Sequence, residues 1–185
     1  MVDYKTFKKE YLNEWVDRSQ AARKAAEELA MKEVKPSLRD RYKPQNVIMT
    51  LNGKRVEFKG ENEKKPNGDI YFTYEEAKEC FGEPNKDGWR LPTYEELEAL
   101  IDSYPYDFDE DNEQGIFDKR LFLLAAGYRH CYGNVNRVGF AGIYWSSTSE
   151  GSDNAWYFYF GSDGVYTNNF NRCFGLSVCL VRDVK

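Results

Sequence analysis

Hydrophobic and polar positions along this chain change period several times, and each change predicts an element. Tyr4, Phe7, Tyr11 and Trp15 recur at three- and four-residue steps, and Ala21, Ala22, Ala25, Ala26 and Leu29 continue the stripe among Lys, Arg and Glu. That spacing predicts a helix over residues 3 to about 34, ending before Pro36. Between Asn46 and Phe58 the pattern becomes two short runs, Val47-Ile48-Met49-Thr50-Leu51 and Lys54-Arg55-Val56-Glu57-Phe58, joined by Asn52-Gly53. Asn-Gly between such runs predicts a hairpin, because its tight turn needs positive φ at both central residues. A polar loop follows over 60–68, then an extended piece at Asp69-Ile70-Tyr71-Phe72. Thr73-Tyr74-Glu75-Glu76 and Thr93-Tyr94-Glu95-Glu96 both spell a capping box, so two helices are predicted, one stopping at Gly82 and one reaching about Ser103.

The C-terminal forty residues read as strands. Along Asn154-Ala155-Trp156-Tyr157-Phe158-Tyr159-Phe160 strict alternation puts Trp156, Phe158 and Phe160 on one face and Ala155, Tyr157 and Tyr159 on the other. The first face is expected in the core and the second on display. Gly161-Ser162-Asp163-Gly164 is a turn by composition, and Leu176 to Val181 reads as a final strand. From Tyr157 to Val181 there is no Lys, Glu, Gln, Met or Trp, although Lys and Glu crowd the rest of the chain. The vocabulary that remains, Tyr, Asn, Ser, Gly and Phe, is that of antibody paratopes; strands are also poor in Lys and Glu for ordinary reasons.

Composition narrows the class. The chain has 185 residues, 41% of them hydrophobic, and a formal net charge of −5. That is room for one domain with a core plus an appendage, and an acidic balance argues against a nucleic-acid or anionic-membrane surface. The start, Met1-Val2-Asp3-Tyr4-Lys5, shows no apolar leader, and no run approaches the roughly 18 apolar residues of a span. A cytoplasmic or phage-particle-associated protein is the expectation, without membrane insertion. Cys80, Cys131, Cys173 and Cys179 show no Cys-x-x-Cys spacing, so neither a zinc site nor a redox motif is expected, and without export they are expected as free thiols.

Other chemistry is thin. Asp107 to Asp118 places carboxylates as in a calcium loop, but Asn112 stands where the loop needs Gly, Asp118 where it needs Glu, and Pro105 spoils the entering helix. A solvated acidic loop is the simpler reading. Glu83-Pro84-Asn85 is read as a turn. The single histidine, His130, is read as a hydrogen-bonded loop residue. No metal and no cofactor is expected.

One ordered string of motifs goes further. Gly88-Trp89-Arg90-Leu91-Pro92-Thr93, Ala126-Gly127-Tyr128-Arg129, Gly142-Ile143-Tyr144-Trp145-Ser146-Ser147-Thr148, Asn154-Ala155-Trp156 and Gly175-Leu176-Ser177-Val178 through Arg182-Asp183 together resemble the C-type-lectin-fold domains of gut Bacteroidetes and their phages. More narrowly the chain is similar to the variable proteins of diversity-generating retroelements, related to the Fibrobacter succinogenes major paralogous domain. The resemblance implies an α+β, C-type lectin-like domain over 46–185 with a helical extension over 1–45 and a variable region over about 155–182. It also implies adenine-directed rewriting of that region. Substituting adenines in an Asn codon gives Tyr, Ser, Thr, Asp, Cys, Phe, Gly or Leu among others but never Lys, Glu, Gln, Met or Trp, the types absent there. Where such domains usually read Ser-Val-Arg, this chain reads Ser177-Val178-Cys179.

On this reading the chain is a binding protein and not an enzyme. The expected ligand-binding residues are Tyr157, Tyr159, Ser162, Asp163, Tyr166, Thr167, Asn168, Asn169, Asn171, Cys173, Phe174, Leu176 and Cys179. Trp89, Leu91, Trp145, Trp156, Phe158, Phe160, Val165 and Val178 are expected as scaffold. The partner is a protein or cell-surface ligand, and the N-terminal helix packs on its own domain or serves docking or homo-oligomerisation. The rival reading comes from formylglycine-generating enzymes, which are similar in fold and use a pair of C-terminal cysteines; it would make Cys173 and Cys179 a reactive pair.

Overall fold

The predicted hairpin forms where the pattern places it. Val47–Leu51 (β1) and Lys54–Phe58 (β2) pair antiparallel with Leu51 opposite Lys54, and Asn52 and Gly53 take φ of 50° and 77°, as the two-residue turn requires. Alternation holds too, since Val47, Met49, Leu51, Val56 and Phe58 are buried. The computed structural model describes residues 45–185; the predicted N-terminal helix, with Tyr4, Phe7, Tyr11 and Trp15, lies outside the described residues. Tyr42–Lys185 forms one compact unit.

Both capping boxes are made. In Tyr74–Phe81 (α1) the Thr73 hydroxyl accepts the Glu76 N–H at 3.3 Å while the Glu76 carboxylate accepts the Thr73 N–H at 2.8 Å. Thr93 and Glu96 repeat this at 3.2 and 2.8 Å ahead of Tyr94–Ser103 (α2). The first helix stops at Gly82 and the second at Ser103, as the pattern predicts.

Three strands then form a meander: Tyr106–Asp109 (β3), Gln114–Phe117 (β4) and Leu121–Leu124 (β5). The stretch read as an acidic loop is in large part strand, Asp107–Asp109 lying in β3 and 114–117 in β4, and only 110–113 form the turn between them, where the Asp109 carboxylate accepts the Asn112 N–H at 3.1 Å and its side-chain amide at 2.8 Å. Among the described residues no group of three or more His, Cys, Asp or Glu is placed to hold a metal ion. After the short hairpin Tyr128–Arg129 (β6) and Val135–Asn136 (β7) come the long strands Ala141–Glu150 (β8), Asn154–Gly161 (β9) and Gly164–Asn171 (β10). Val181–Asp183 (β11) closes the other sheet against β2. The sheets run β1-β2-β11, β3-β4-β5, β6-β7 and β10-β9-β8. Antiparallel sheets with two helices among the described residues are compatible with an α+β lectin-like fold.

Two predicted strands are weaker than expected. Of Asp69–Phe72 only Phe72 pairs, in a single bridge to Leu176, and most of 176–181 is held by isolated bridges, Tyr144 to Ser177 and Arg90 to Val181. These segments are extended and buried, but they pass between sheets and find partners one residue at a time.

The larger correction concerns β9. Cross-strand partners share a face, so Phe158 and Phe160 lie with Tyr144 and Gly142 of β8 on one side, and Tyr157 and Tyr159 with Trp145 and Ile143 on the other. The alternation is real, yet both faces are covered. Phe158 and Phe160 join Phe117, Leu97 and Leu100 in one core cluster; Ala155, Tyr157 and Tyr159 join Ile143, Trp145, Leu176 and Val178 in a second. Tyr157 and Tyr159 are 6% and 3% exposed, not displayed. The cause is position: β9 is the middle strand of its sheet, with packing on each side. Trp156 departs the other way, being half-buried near the sheet's end, with its ring tilted against Tyr94 at 4.5 Å and its indole N–H donated to Glu150 at 2.8 Å.

Candidate functional site

The expected binding residues divide by depth. Ser162, Asp163, Tyr166, Asn168, Asn171 and Cys173 are exposed; Thr167, Asn169 and Phe174 are half-buried. Tyr157, Tyr159, Leu176 and Cys179 are buried, so these four belong to the support and not to the surface. Leu176 and Cys179 are inside because the segment after Gly175 threads between the sheets instead of continuing along an edge.

The exposed group is carried by β10, which borders β9 on one side and no other strand of its sheet. Its register runs unbroken from Gly164 opposite Gly161 to Asn171 opposite Asn154. Tyr166, Asn168 and Phe170 therefore fall on the face of Tyr159, Tyr157 and Ala155, while Val165, Thr167 and Asn169 fall on the face of Phe160, Phe158 and Trp156. The predicted residues 166–169 thus occupy both faces of one strand. Thr167 hydrogen-bonds Glu98 of α2 on the second face.

On the first face the buried tyrosines hold the exposed one in place. Tyr166 stacks on Tyr159 with centroids 4.4 Å apart, and the Tyr159 hydroxyl accepts from Arg137 Nη1 at 2.9 Å and donates to Asp163 Oδ1 at 2.7 Å. Burial, reinforced by the bond to the Asp163 carboxylate, pushes the Tyr159 hydroxyl up to about 12. Burial does the same to Tyr157, whose ring lies 4.7 Å from Phe170.

Sequence reasoning missed the loop around the β6-β7 hairpin. Tyr132 is 89% exposed and Phe140 74%, with Val135 and Val138 also exposed. The loop is fastened to the end of β10: Arg129 and Gly175 exchange backbone hydrogen bonds of 2.8 Å, Tyr128 packs 5.8 Å from both Phe170 and Phe174, and His130 meets Tyr132 and Phe174 at 4.9 and 4.7 Å. His130 is a hydrogen-bonded loop residue as expected, its N–H donating to Asn134 O at 2.8 Å. Gly127 must be glycine, since a Cβ there would collide with the Asn136 carbonyl, and its φ is 67°. A signal for this loop was present, because residues 121–144, like residues 157–181, contain no Lys, Glu, Gln, Met or Trp.

The cysteines correct the expectation of free thiols. Cys131 and Cys173 form a disulfide across 42 residues, joining the missed loop to the segment after β10. Cys179 is free and buried, its thiol donating to Lys59 O at 3.4 Å, and burial pushes it up to about 12. The pairing of Cys173 with Cys179 that the oxidase reading needs is not the one formed.

What this arrangement offers chemically is exposed aromatic and small polar side chains, Asp163, Tyr166 and Asn168 on β10 and its turn, with exposed Tyr132 and Phe140 in the loop fastened to its end. Rings held by stacking and hydrogen bonds lose little freedom when something is laid on them. No helix among the described residues is long and apolar enough to cross a membrane. Comparison with curated proteins and with solved structures gave no match. A family model does match, the Lcl C-terminal domain, over residues 53–182, and the chain belongs to that family.

Proposed function

We propose that this chain is a ligand-binding variable protein of a diversity-generating retroelement, presenting rewritten side chains on a lectin-like scaffold to a protein or cell-surface ligand, and that it is not an enzyme. The observation that carries the reading is β10 with its turn. Exposed Ser162, Asp163, Tyr166, Asn168 and Asn171 stand together on a strand whose neighbour is buried on both faces. Such positions accept many side chains because changing them opens no cavity and strands no buried polar group. Membership of the Lcl C-terminal domain family and the missing Lys, Glu, Gln, Met and Trp of 157–181 agree with it.

The test is on DNA. A near-copy of the segment encoding about 155–182 is expected close to the gene, with a reverse-transcriptase gene nearby. Mismatches are expected where the copy has adenine, at codons for the exposed and half-buried positions 163, 166–169, 171, 173 and 174. The buried positions 157–160, 176 and 179 are expected to match. No such repeat, or mismatches away from adenine, would overturn the retroelement reading.

The oxidase alternative is tested on the thiols. A catalytic thiol has to ionise readily, whereas Cys179 is buried with a raised pKa. On native protein a thiol reagent at mild alkaline pH is expected to label exposed Cys80 at once and Cys179 only on unfolding. Copper-dependent oxidation of a peptide thiol, lost in Cys179→Ser, would favour the enzyme.

A further inference from the structure

Resting on the binding reading, a single ligand has to touch residues that alternate between two faces of β10. The only place from which Tyr166, Thr167, Asn168 and Asn169 are all reached is the strand's outer edge. Arg172 N–H donates to Asp153 O at 2.9 Å, continuing the register in which Asn171 faces Asn154, so the even-numbered residues from 164 to 172 bond to β9. In an antiparallel ladder the intervening residues then point their N–H and C=O away from it. Asn169 agrees, because its N–H turns out to the Asn168 side-chain carbonyl at 2.8 Å. Val165, Thr167 and Asn169 therefore present a row of outward backbone groups, and no strand among the described residues pairs with them.

Proteins usually blunt such an edge with a short strand, a bulge, a proline or a charge, lysine above all. β10 uses none of these. It is eight residues long, its sequence Gly-Val-Tyr-Thr-Asn-Asn-Phe-Asn carries no charge and no proline, and its pairing shows no register shift, whereas β8 has one between Trp145 and Ser149. We infer that β10 binds its ligand by strand addition: an extended, uncharged segment of a protein ligand hydrogen-bonds to Val165 and Thr167, and to Asn169 in exchange for the bond its N–H makes to the Asn168 side chain. Its alternate side chains meet Tyr166, Asn168 and Phe170 on one face and Thr167 and Asn169 on the other. Backbone pairing supplies an affinity that does not depend on side chains, while the flanking side chains choose the sequence. That division suits a surface whose side chains are rewritten, since the backbone contribution survives each rewriting.

The experiment uses the full chain and two display libraries, one of linear peptides of about a dozen residues and one of folded domains with random surfaces. Selected peptides, remade with single N-methyl groups along the backbone, are expected to lose about tenfold or more in affinity at every second residue and little between. Thr167→Pro, which removes an outward N–H and leaves the ladder to β9 intact, is expected to weaken the same peptides; its melting curve reports whether it folds, and the N-methyl scan stands without it. Bound peptide is expected to slow amide exchange at 165, 167 and 169. Losses without alternation, or binders from the folded-domain library alone, overturn strand addition and leave the binding surface standing. A concentration-dependent dimer with 165, 167 and 169 protected in the absence of peptide also overturns it, the edge then belonging to a second copy. Binders from neither library would count against the binding reading itself.

Discussion

Strands β9 and β10 are neighbours in one hairpin and share a vocabulary of tyrosine, phenylalanine and small residues, yet they have opposite fates. In β9 every residue from Tyr157 to Gly161 is buried; in β10 none is. The middle strand is covered on two faces by two core clusters, while the edge strand pairs with one strand only and none of its residues is fully buried. A tyrosine is thus support at 159 and surface at 166, although the two rings touch. Rank in the sheet, and not residue type, separates what must be kept from what can be changed.

The contrast can be broken most sharply by matched truncations. Tyr157→Ala is expected to cost on the order of 3–5 kcal/mol, as for a large buried aromatic, and Tyr166→Ala under about 1 kcal/mol; chemical denaturation of the two variants measures both. Equal losses would erase the distinction between the strands. Next in size, Cys173→Ser is expected to destabilise by about 2–4 kcal/mol under oxidising conditions, through the freed chain between 131 and 173, and by little in reductant, so paired melts with and without a reducing agent decide it. Tyr159→Phe, which leaves Arg137 and Asp163 without their shared hydroxyl, is expected to cost about 1 kcal/mol at neutral pH.

The same hydroxyl makes a pH test. Its folded pKa of about 12 lies above the ordinary 10.0 because the neutral form is favoured inside. Its contribution is therefore fully present below pH 10 and is lost as pH rises toward 12, where the unfolded chain ionises first. Melts across that window are expected to fall more steeply for the wild type than for Tyr159→Phe. The smallest effect is at the edge: Asn168→Ala is expected to shift stability by no more than about 0.5 kcal/mol, read in the same denaturation series.

Much of the scaffold was legible because its signals are local. Asn52-Gly53 names its own turn, and each Thr-x-x-Glu box fixes a helix start through bonds spanning three residues. Alternation along 154–160 correctly separated two faces, but it cannot say what lies against them; that Leu176 and Val178 cover Tyr157 and Tyr159 is a contact between distant segments. The Cys131–Cys173 bond is of the same kind, set by the reciprocal pairing of Arg129 with Gly175, which no spacing rule reports. The loop 128–140 was passed over because it has no periodicity, only a composition. That composition, which extends over 121–144, matches that of residues 157–181, and both stretches include buried strand as well as surface, so the missing residue types do not by themselves mark a rewritten segment and the genomic repeat is needed to do so.

The disulfide ties together two parts of the chain with different histories, if position 173 is rewritten as proposed. Cys131 lies outside the segment proposed to be rewritten, and Cys173, its disulfide partner, within it. Each sibling copy that received another residue at 173 would carry Cys131 alone, an exposed thiol on the rim of its own binding surface. Such siblings would differ from this one in more than ligand preference. They would be open to mixed disulfides with small thiols or with one another, and their loops would be fastened by packing alone, so a single codon would set both what the surface grips and how firmly its border is held.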